Sequence, residues 1–258
     1  MRRSFWLWPN LLSLDAPLVA VLWQILFARC FGIPAGIAAA ALLVAAVWLI
    51  YSADRMLDVW RGAGKLPRHQ FYRRHWRVVL PVWGGVFAAA ACFSWLALPP
   101  LLFERGLLLL CMVGAYLMAV HAAPKQVLSG WRKEALVAIL FALGASAVAW
   151  SDLLNFPELL AVFLFSCLCW INCTAIEQWE NGGGRFPVGI AAACVGLAAV
   201  LLLRRHLPVL CGAELASALA FMLLDSRRLR ISPDVLRVLA DAALLSPIFV
   251  LPIAGMRI

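Results

Sequence analysis

Long apolar runs alternate with short polar breaks along the whole chain. The stretch PAGIAAAALLVAAVWLI, Pro34 to Ile50, runs seventeen residues without a charge. Runs of this kind recur near residues 11–32, 34–57, 78–98, 103–122, 134–152, 157–178, 186–203, 208–225 and 235–254. Each approaches the roughly 20 residues that a helix needs to cross the hydrocarbon core of a bilayer. The runs predict helices, because lipid satisfies no backbone polar group and the alternation of a barrel strand is absent. Connections are short, and no soluble domain, low-complexity tract or internal repeat stands out. The pattern predicts an all-α integral membrane protein, one transmembrane helical domain over residues 1–258 with nine spans.

Composition strengthens the membrane reading. Hydrophobic residues make up 65% of the 258 and charged residues only 14%, with a mean hydropathy of +0.92. Soluble domains carry about 25% charged residues. No small-residue cleavage site follows a short apolar core near the start, so the N-terminus is expected to be retained. The eight cysteines scatter through apolar stretches without a C-x-x-C pair, and read as small buried hydrophobes.

Charge sets the expected orientation. With the N-terminus in the cytoplasm, 17 of the 22 Lys and Arg residues fall on the inner side, leaving Arg29, Arg105, Arg204, Arg205 and Arg257 toward the outside. The net charge of +9 then reflects topology and contact with anionic lipid, with no need for a nucleic-acid partner. The expected location is a multi-pass position in an inner membrane of bacterial type, with the loops carrying the candidate site on the cytoplasmic face.

Carboxylates at the ends of two spans are the candidate chemistry. YSADRMLD, Tyr51 to Asp58, closes the second run, and Asp54 and Asp58 are spaced i, i+4 on one helix face. Such a pair suits Mg²⁺, which shares its shell with waters and phosphate oxygens. The loop after it, RGAGKLPRHQFYRRH from Arg61 to His75, is rich in Lys, Arg and His. The plainer alternative is a helix end whose aspartates pair with nearby arginines such as Arg61. Span six ends INCTAIEQWENGGGRFPVG, with Asn172, Glu177, Glu180 and Arg185, and Glu177 and Glu180 are spaced to share a face. Lys125, Arg132 and Lys133 follow span four. Asp15 reads as a helix-start cap, Asp241 divides evenly between function and a helix-to-helix hydrogen bond, and His69, His75 and His121 read as solvated loop residues.

These motifs resemble the UbiA superfamily of intramembrane prenyltransferases. YSADRMLDVWRG looks like the first aspartate-rich motif of that family, N-x-x-x-D-x-x-x-D, and AIEQWENGGGRFPVG looks like the second. LDAPLVAVLW, Leu14 to Trp23, is similar to the entry into helix one, and PKQVLSGWRKEALVAILFALG to the segment entering helix five. The resemblance covers essentially the whole chain in span count and motif order. Ile50 stands at the Asn of the first motif, Ile176 at the first Asp of the second, and Glu180 at its second Asp.

The resemblance implies a bundle of nine transmembrane helices around a central cavity. It implies Mg²⁺-dependent transfer of a prenyl group from an isoprenoid diphosphate to a lipid-soluble or aromatic acceptor. Asp54 and Asp58 are then catalytic and, with Glu180, hold the metal. Arg61, Arg68, Lys125, Arg132, Lys133, Glu177 and Glu180 attend the diphosphate. Trp48, Tyr51, Phe141, Trp170 and Trp179 are candidates to shield an allylic cation. Two other classes share the composition. One is a catalytically degenerate relative that binds an isoprenoid or quinone. The other is a transporter for a small anion or lipid, for which the sequence lacks the paired interrupted helices of inverted repeats.

Overall fold

A computed structural model describes residues 12–34, 36–62, 67–122, 131–181 and 186–254. Those residues form ten α-helices: α1 (Asp15–Cys30), α2 (Ile37–Trp60), α3 (Pro67–Ala97), α4 (Pro100–Ala122), α5 (Trp131–Ala145), α6 (Phe156–Asn181), α7 (Val188–Leu203), α8 (Pro208–Arg227), α9 (Pro233–Ala243) and α10 (Pro247–Ala254). No strand occurs among the described residues. Six stretches are long and apolar enough to cross a membrane: Ile37–Trp60, Gln70–Ala97, Pro100–His121, Phe156–Glu180, Pro208–Arg230 and Pro233–Pro252. Their outward faces are apolar; on α3 alone Val82, Phe87, Phe93 and Trp95 are exposed. A continuous apolar surface of that kind marks contact with lipid or a partner.

The other expected spans are shorter, for local reasons. At 16, 15 and 16 residues, α1, α5 and α7 measure about 22–24 Å at 1.5 Å per residue. Past α1, Gly32 takes a left-handed φ of +70° that a β-carbon would strain. Past α5, the Ser146 hydroxyl and the Trp150 indole N–H both donate to the carbonyl of Leu143, at 3.3 and 3.0 Å. The stretch predicted at 235–254 is a broken helix. Pro247 cannot continue the ladder of α9, so the chain turns at residues 244–246 before α10. The freed carbonyls find side-chain donors. Ser217 Oγ donates to Ala243 O at 2.8 Å, and Trp23 Nε1 donates to Leu244 O at 2.8 Å.

The expected single domain groups its contacts into two compact units. One comprises Met1–Val21 and Gly36–Leu128, the other Leu22–Ala35 and Ser129–Ile258. In the first, α2 packs against α3 and α4. A buried chain of hydroxyls fixes this packing: Tyr72 OH donates to Ser52 Oγ at 3.2 Å and lies 3.1 Å from Ser13 Oγ. The Trp83 indole N–H donates to Leu49 O and that of Trp48 to Leu12 O. At His75 the helix α3 kinks, with φ −110° and ψ 16°, and the ring Nδ1–H donates to Phe71 O at 3.0 Å.

In the second unit, α6 is packed by α5, α7, α8 and α9. Its core is aromatic: Trp23 stacks on Phe165 at 4.1 Å, and Phe27 meets the same ring edge-on at 5.7 Å. Small residues set the α7–α8 crossing. A β-carbon on Gly196 would stand 3.1 Å from Ala218 Cβ, the close approach that small residues permit between membrane helices. In the first turn of α7, the Gly189 N–H donates to Asp225 Oδ2 of α8 at 3.0 Å. Asp225 also pairs with Arg228 at 2.9 Å. This carboxylate serves a helix start whose own N-cap residue, Pro187, supplies no side-chain cap.

Candidate functional site

The acid pair closing α2 is placed as its spacing predicts. Asp54 and Asp58 lie one turn apart in the last turns of the helix, both half-buried. The hydroxyl chain through Ser52 and the indole bonds of Trp48 and Trp83 hold this part of α2 in place. Asp54 is not paired with Arg61, as the plainer alternative supposed. Its Oδ1 accepts a hydrogen bond from His121 Nε2–H at 3.0 Å. Arg61 caps α2 and donates from Nη1 to Val120 O at 3.0 Å.

The reading of His121 as a solvated loop residue is corrected. Its side chain is only 9% exposed, and the last turn of α4 carries the imidazole to the acid pair. The other ring nitrogen, Nδ1, is buried with no hydrogen-bond partner among the described residues. So is Nη1 of Arg55, between the two aspartates in sequence. The end of α2 thus combines two carboxyls with an unspent guanidinium N–H. His75 is likewise helical rather than in a loop, while the side chain of His69 lies outside the described residues.

In the second unit the carboxyls at the end of α6 diverge. Glu177 and Glu180 are about 60° apart around the helix. Glu180 Oε1 accepts from Arg237 Nη1 of α9 at 2.7 Å, with Arg237 4% and Glu180 14% exposed. Glu177 is exposed, and the acid in the first turn of α5, Glu134, is buried. Farther along the same seam Asn172 Nδ2–H donates to Asp241 Oδ1 at 3.1 Å. Asp241 therefore joins two helices. Asp15 Oδ1 accepts the Ala16 N–H at 3.0 Å, at the start of α1.

Several candidates lie elsewhere. Arg132 is exposed and Lys133 half-buried on α5. Lys125 and Arg185 fall outside the described residues, as does the side chain of Arg68. Among the aromatic candidates, Trp48 is committed to Leu12 O. Phe141 lies 6.2 Å from Phe165, and Trp170 meets Phe186 edge-on at 5.0 Å. Trp179 is buried with its indole N–H unpartnered among the described residues. A groove of about 720 Å³ runs beside α7 and α8, lined by Gln178, Ile190, Leu197, Met222, Asp225 and Arg228 among others. It carries none of the candidate acids.

Arg237, Glu134 and Glu214 went unread as site residues in the sequence. Arg237 and Asp241 are spaced i, i+4 in an otherwise apolar run, a signal that they share a face toward one neighbour. Glu134 opens α5 next to Lys133 and looks like an ordinary first-turn acid. Glu214, deep in α8, is fully buried, and neither carboxyl oxygen has a partner among the described residues. No group of three His, Cys, Asp or Glu side chains able to hold a metal occurs among the described residues. A divalent ion at these acids would take two carboxylates and complete its shell from water or phosphate, the habit of Mg²⁺. Comparison with protein-family models, with curated proteins and with solved structures gave no match.

Proposed function

We propose that this chain is a divergent member of the UbiA superfamily, a nine-span membrane protein that transfers a prenyl group from an isoprenoid diphosphate to a lipid-soluble or aromatic acceptor. One observation carries the reading. The end of α2 joins a carboxyl pair one turn apart to a buried guanidinium N–H, on Arg55, with no partner among the described residues. Carboxylates call for a cation, and an unspent Arg donor calls for an anion; a magnesium diphosphate answers both.

Asp54 and Asp58 are the residues that would hold Mg²⁺. When bound, Mg²⁺ neutralises charge on the leaving diphosphate. His121 orients Asp54 by donating to its Oδ1. Arg55 and Arg61, at the same end of α2, would serve phosphate oxygens, where negative charge grows as the C–O bond ionises. By the distribution of Lys and Arg, this end of α2 faces the cytoplasm, where a water-soluble diphosphate head arrives while its prenyl tail stays in lipid.

A second reading, binding of an isoprenoid or quinone without turnover, is favoured by one contact. Arg237 occupies the carboxyl of Glu180, the residue aligned with the family's second aspartate. The test uses purified protein with a non-hydrolysable geranyl or longer diphosphate analogue, with Mg²⁺ or with EDTA, and labelled diphosphates with candidate acceptors. Mg²⁺-dependent analogue binding that Asp54→Asn and Asp58→Asn each weaken at least tenfold is expected. A parent protein that binds the analogue equally in EDTA sinks the enzyme reading. Mg²⁺-dependent binding with no diphosphate release favours the binding-only reading.

A further inference from the structure

The groove beside α7 and α8, about 720 Å³, is lined by residues of the second unit alone. Its two ends differ. One is polar and lies where three helices end: α6 stops at Asn181, α7 starts at Val188 and α8 stops at Arg227. Hydrogen bonds tie these ends together. The Phe186 N–H donates to Gln178 Oε1 at 2.9 Å, and the Gly189 N–H to Asp225 Oδ2 at 3.0 Å. From there an apolar wall continues along α7 through Ile190, Ala193, Cys194 and Leu197, spaced to share one helix face. Between Gly189 and Leu197 that face is about 12 Å long at 1.5 Å per residue. Ile190 and Leu197 are 67% and 59% exposed, so no described residue covers the wall.

The polar end carries spare positive charge. Arg227, Arg228 and Arg230 lie together just past the last turn of α8, and all are exposed. Asp225 is the carboxylate lining the groove, and both its oxygens are engaged: Oδ2 accepts the Gly189 N–H, and Oδ1 accepts from Arg228 Nη1 at 2.9 Å. A guanidinium has five N–H donors, and this bond spends one. Arg228 lines the groove with its side chain 42% exposed. A cationic rim at the helix ends above an apolar wall is complementary to an amphiphile with an anionic head at the membrane surface and a tail in the hydrocarbon. Free phosphate would leave the wall bare, and an apolar helix would leave the arginines unmet.

We propose that this groove binds one anionic phospholipid, with its phosphate on Arg228 and one acyl chain along Ile190, Ala193, Cys194 and Leu197. Arg228 suits the head because a guanidinium grips phosphate oxygens through paired N–H bonds. The bound lipid spans α7 and α8 and covers the face that α7 leaves open. The site shares no residue with the acid pair of α2, and it needs no prenyl transfer.

Native mass spectrometry of the full-length protein in detergent, titrated with phosphatidylglycerol or phosphatidylcholine of the same chains, reads the binding directly. One phosphatidylglycerol should bind the parent about tenfold more tightly than phosphatidylcholine. Arg228→Gln should weaken phosphatidylglycerol about fivefold, the worth of one arginine at an anionic head. Ala193→Phe, which fills the wall, should weaken both lipids. Equal binding of the two lipids by the parent overturns the proposal, as does parent-like binding of phosphatidylglycerol by either variant. Loss of that binding in the double change Arg73→Gln with Arg74→Gln, on α3 of the other unit, places the lipid elsewhere and also overturns it. Displacement of phosphatidylglycerol by inorganic phosphate or by the prenyl diphosphate analogue overturns a phospholipid as the occupant. Should Ala193→Phe fail to fold, Cys194→Trp, at an exposed position, carries the same test with the same outcomes.

Discussion

Replacing Arg237 with methionine is expected to destabilise the protein by about 3 kcal/mol. The side chain is 4% exposed and its Nη1 sits 2.7 Å from Glu180 Oε1. With charge centres roughly 4 Å apart and an effective dielectric near 20, the attraction is about 4 kcal/mol. Desolvation of two buried ions offsets most of that gain, so the intact pair contributes little net stability. Removing one partner is different, because Glu180 keeps its desolvation cost and loses the charge that offset it. Such one-sided losses run about 3–5 kcal/mol. The lower end applies because Glu180, 14% exposed, has a further interaction besides Arg237. The double change Arg237→Met with Glu180→Met removes both charges and should recover to within about 1 kcal/mol of the parent. Unfolding by SDS titration, read by tryptophan fluorescence, measures all four corners of this cycle. Arg237→Met within about 0.5 kcal/mol of the parent, or a double variant no more stable than Arg237→Met alone, refutes the reasoning.

Three further changes probe other layers of the fold. Tyr72→Phe removes the hydroxyl between Ser13 and Ser52 and should cost about 1–2 kcal/mol in the same titration, since two buried hydroxyls lose their shared partner. Gly196→Val drives a side chain into Ala218 and Leu215, whose nearest atoms stand 3.1 and 3.3 Å from where even a single added β-carbon would lie; a loss of about 1–3 kcal/mol is expected, and an unchanged midpoint would mean that α7 and α8 separate freely. Glu214→Met replaces a fully buried carboxyl, unpartnered among the described residues, with an apolar group of similar length and should stabilise by about 1–3 kcal/mol; a loss of stability would show that the carboxyl is satisfied in the membrane.

The helices were legible because lipid leaves the backbone no alternative, and uncharged runs such as Pro34 to Ile50 announce themselves. Lengths were less legible. The break before Pro247 depends on Ser217 and Trp23 being at hand to satisfy the freed carbonyls, and both lie far away in sequence. The acid pair of α2 followed from i, i+4 spacing alone. The partner of Asp54 did not: nearby arginines were the plainer alternative, while His121 is 67 residues away. At the end of α6, spacing put Glu177 and Glu180 near each other but said nothing of which neighbours flank the seam. Arg237 holds Glu180 while Glu177 stays exposed, and a single sequence holds no record of which helices pack together.

The cap that Asp225 places on α7 bears on how the chain enters the membrane. Alone, α7 is a 16-residue segment, about 24 Å long against a hydrocarbon core of ~30 Å. The N–H of Gly189 is met by a carboxylate of the following helix, and Gly196 closes on Ala218. During synthesis neither contact exists until α8 has emerged. The two helices should therefore leave the translocon as a hairpin, with α7 waiting for its successor. Chains terminated and released after residue 206 should then leave Cys194 of α7 open to water-soluble thiol reagents, and chains released after residue 230 should protect it.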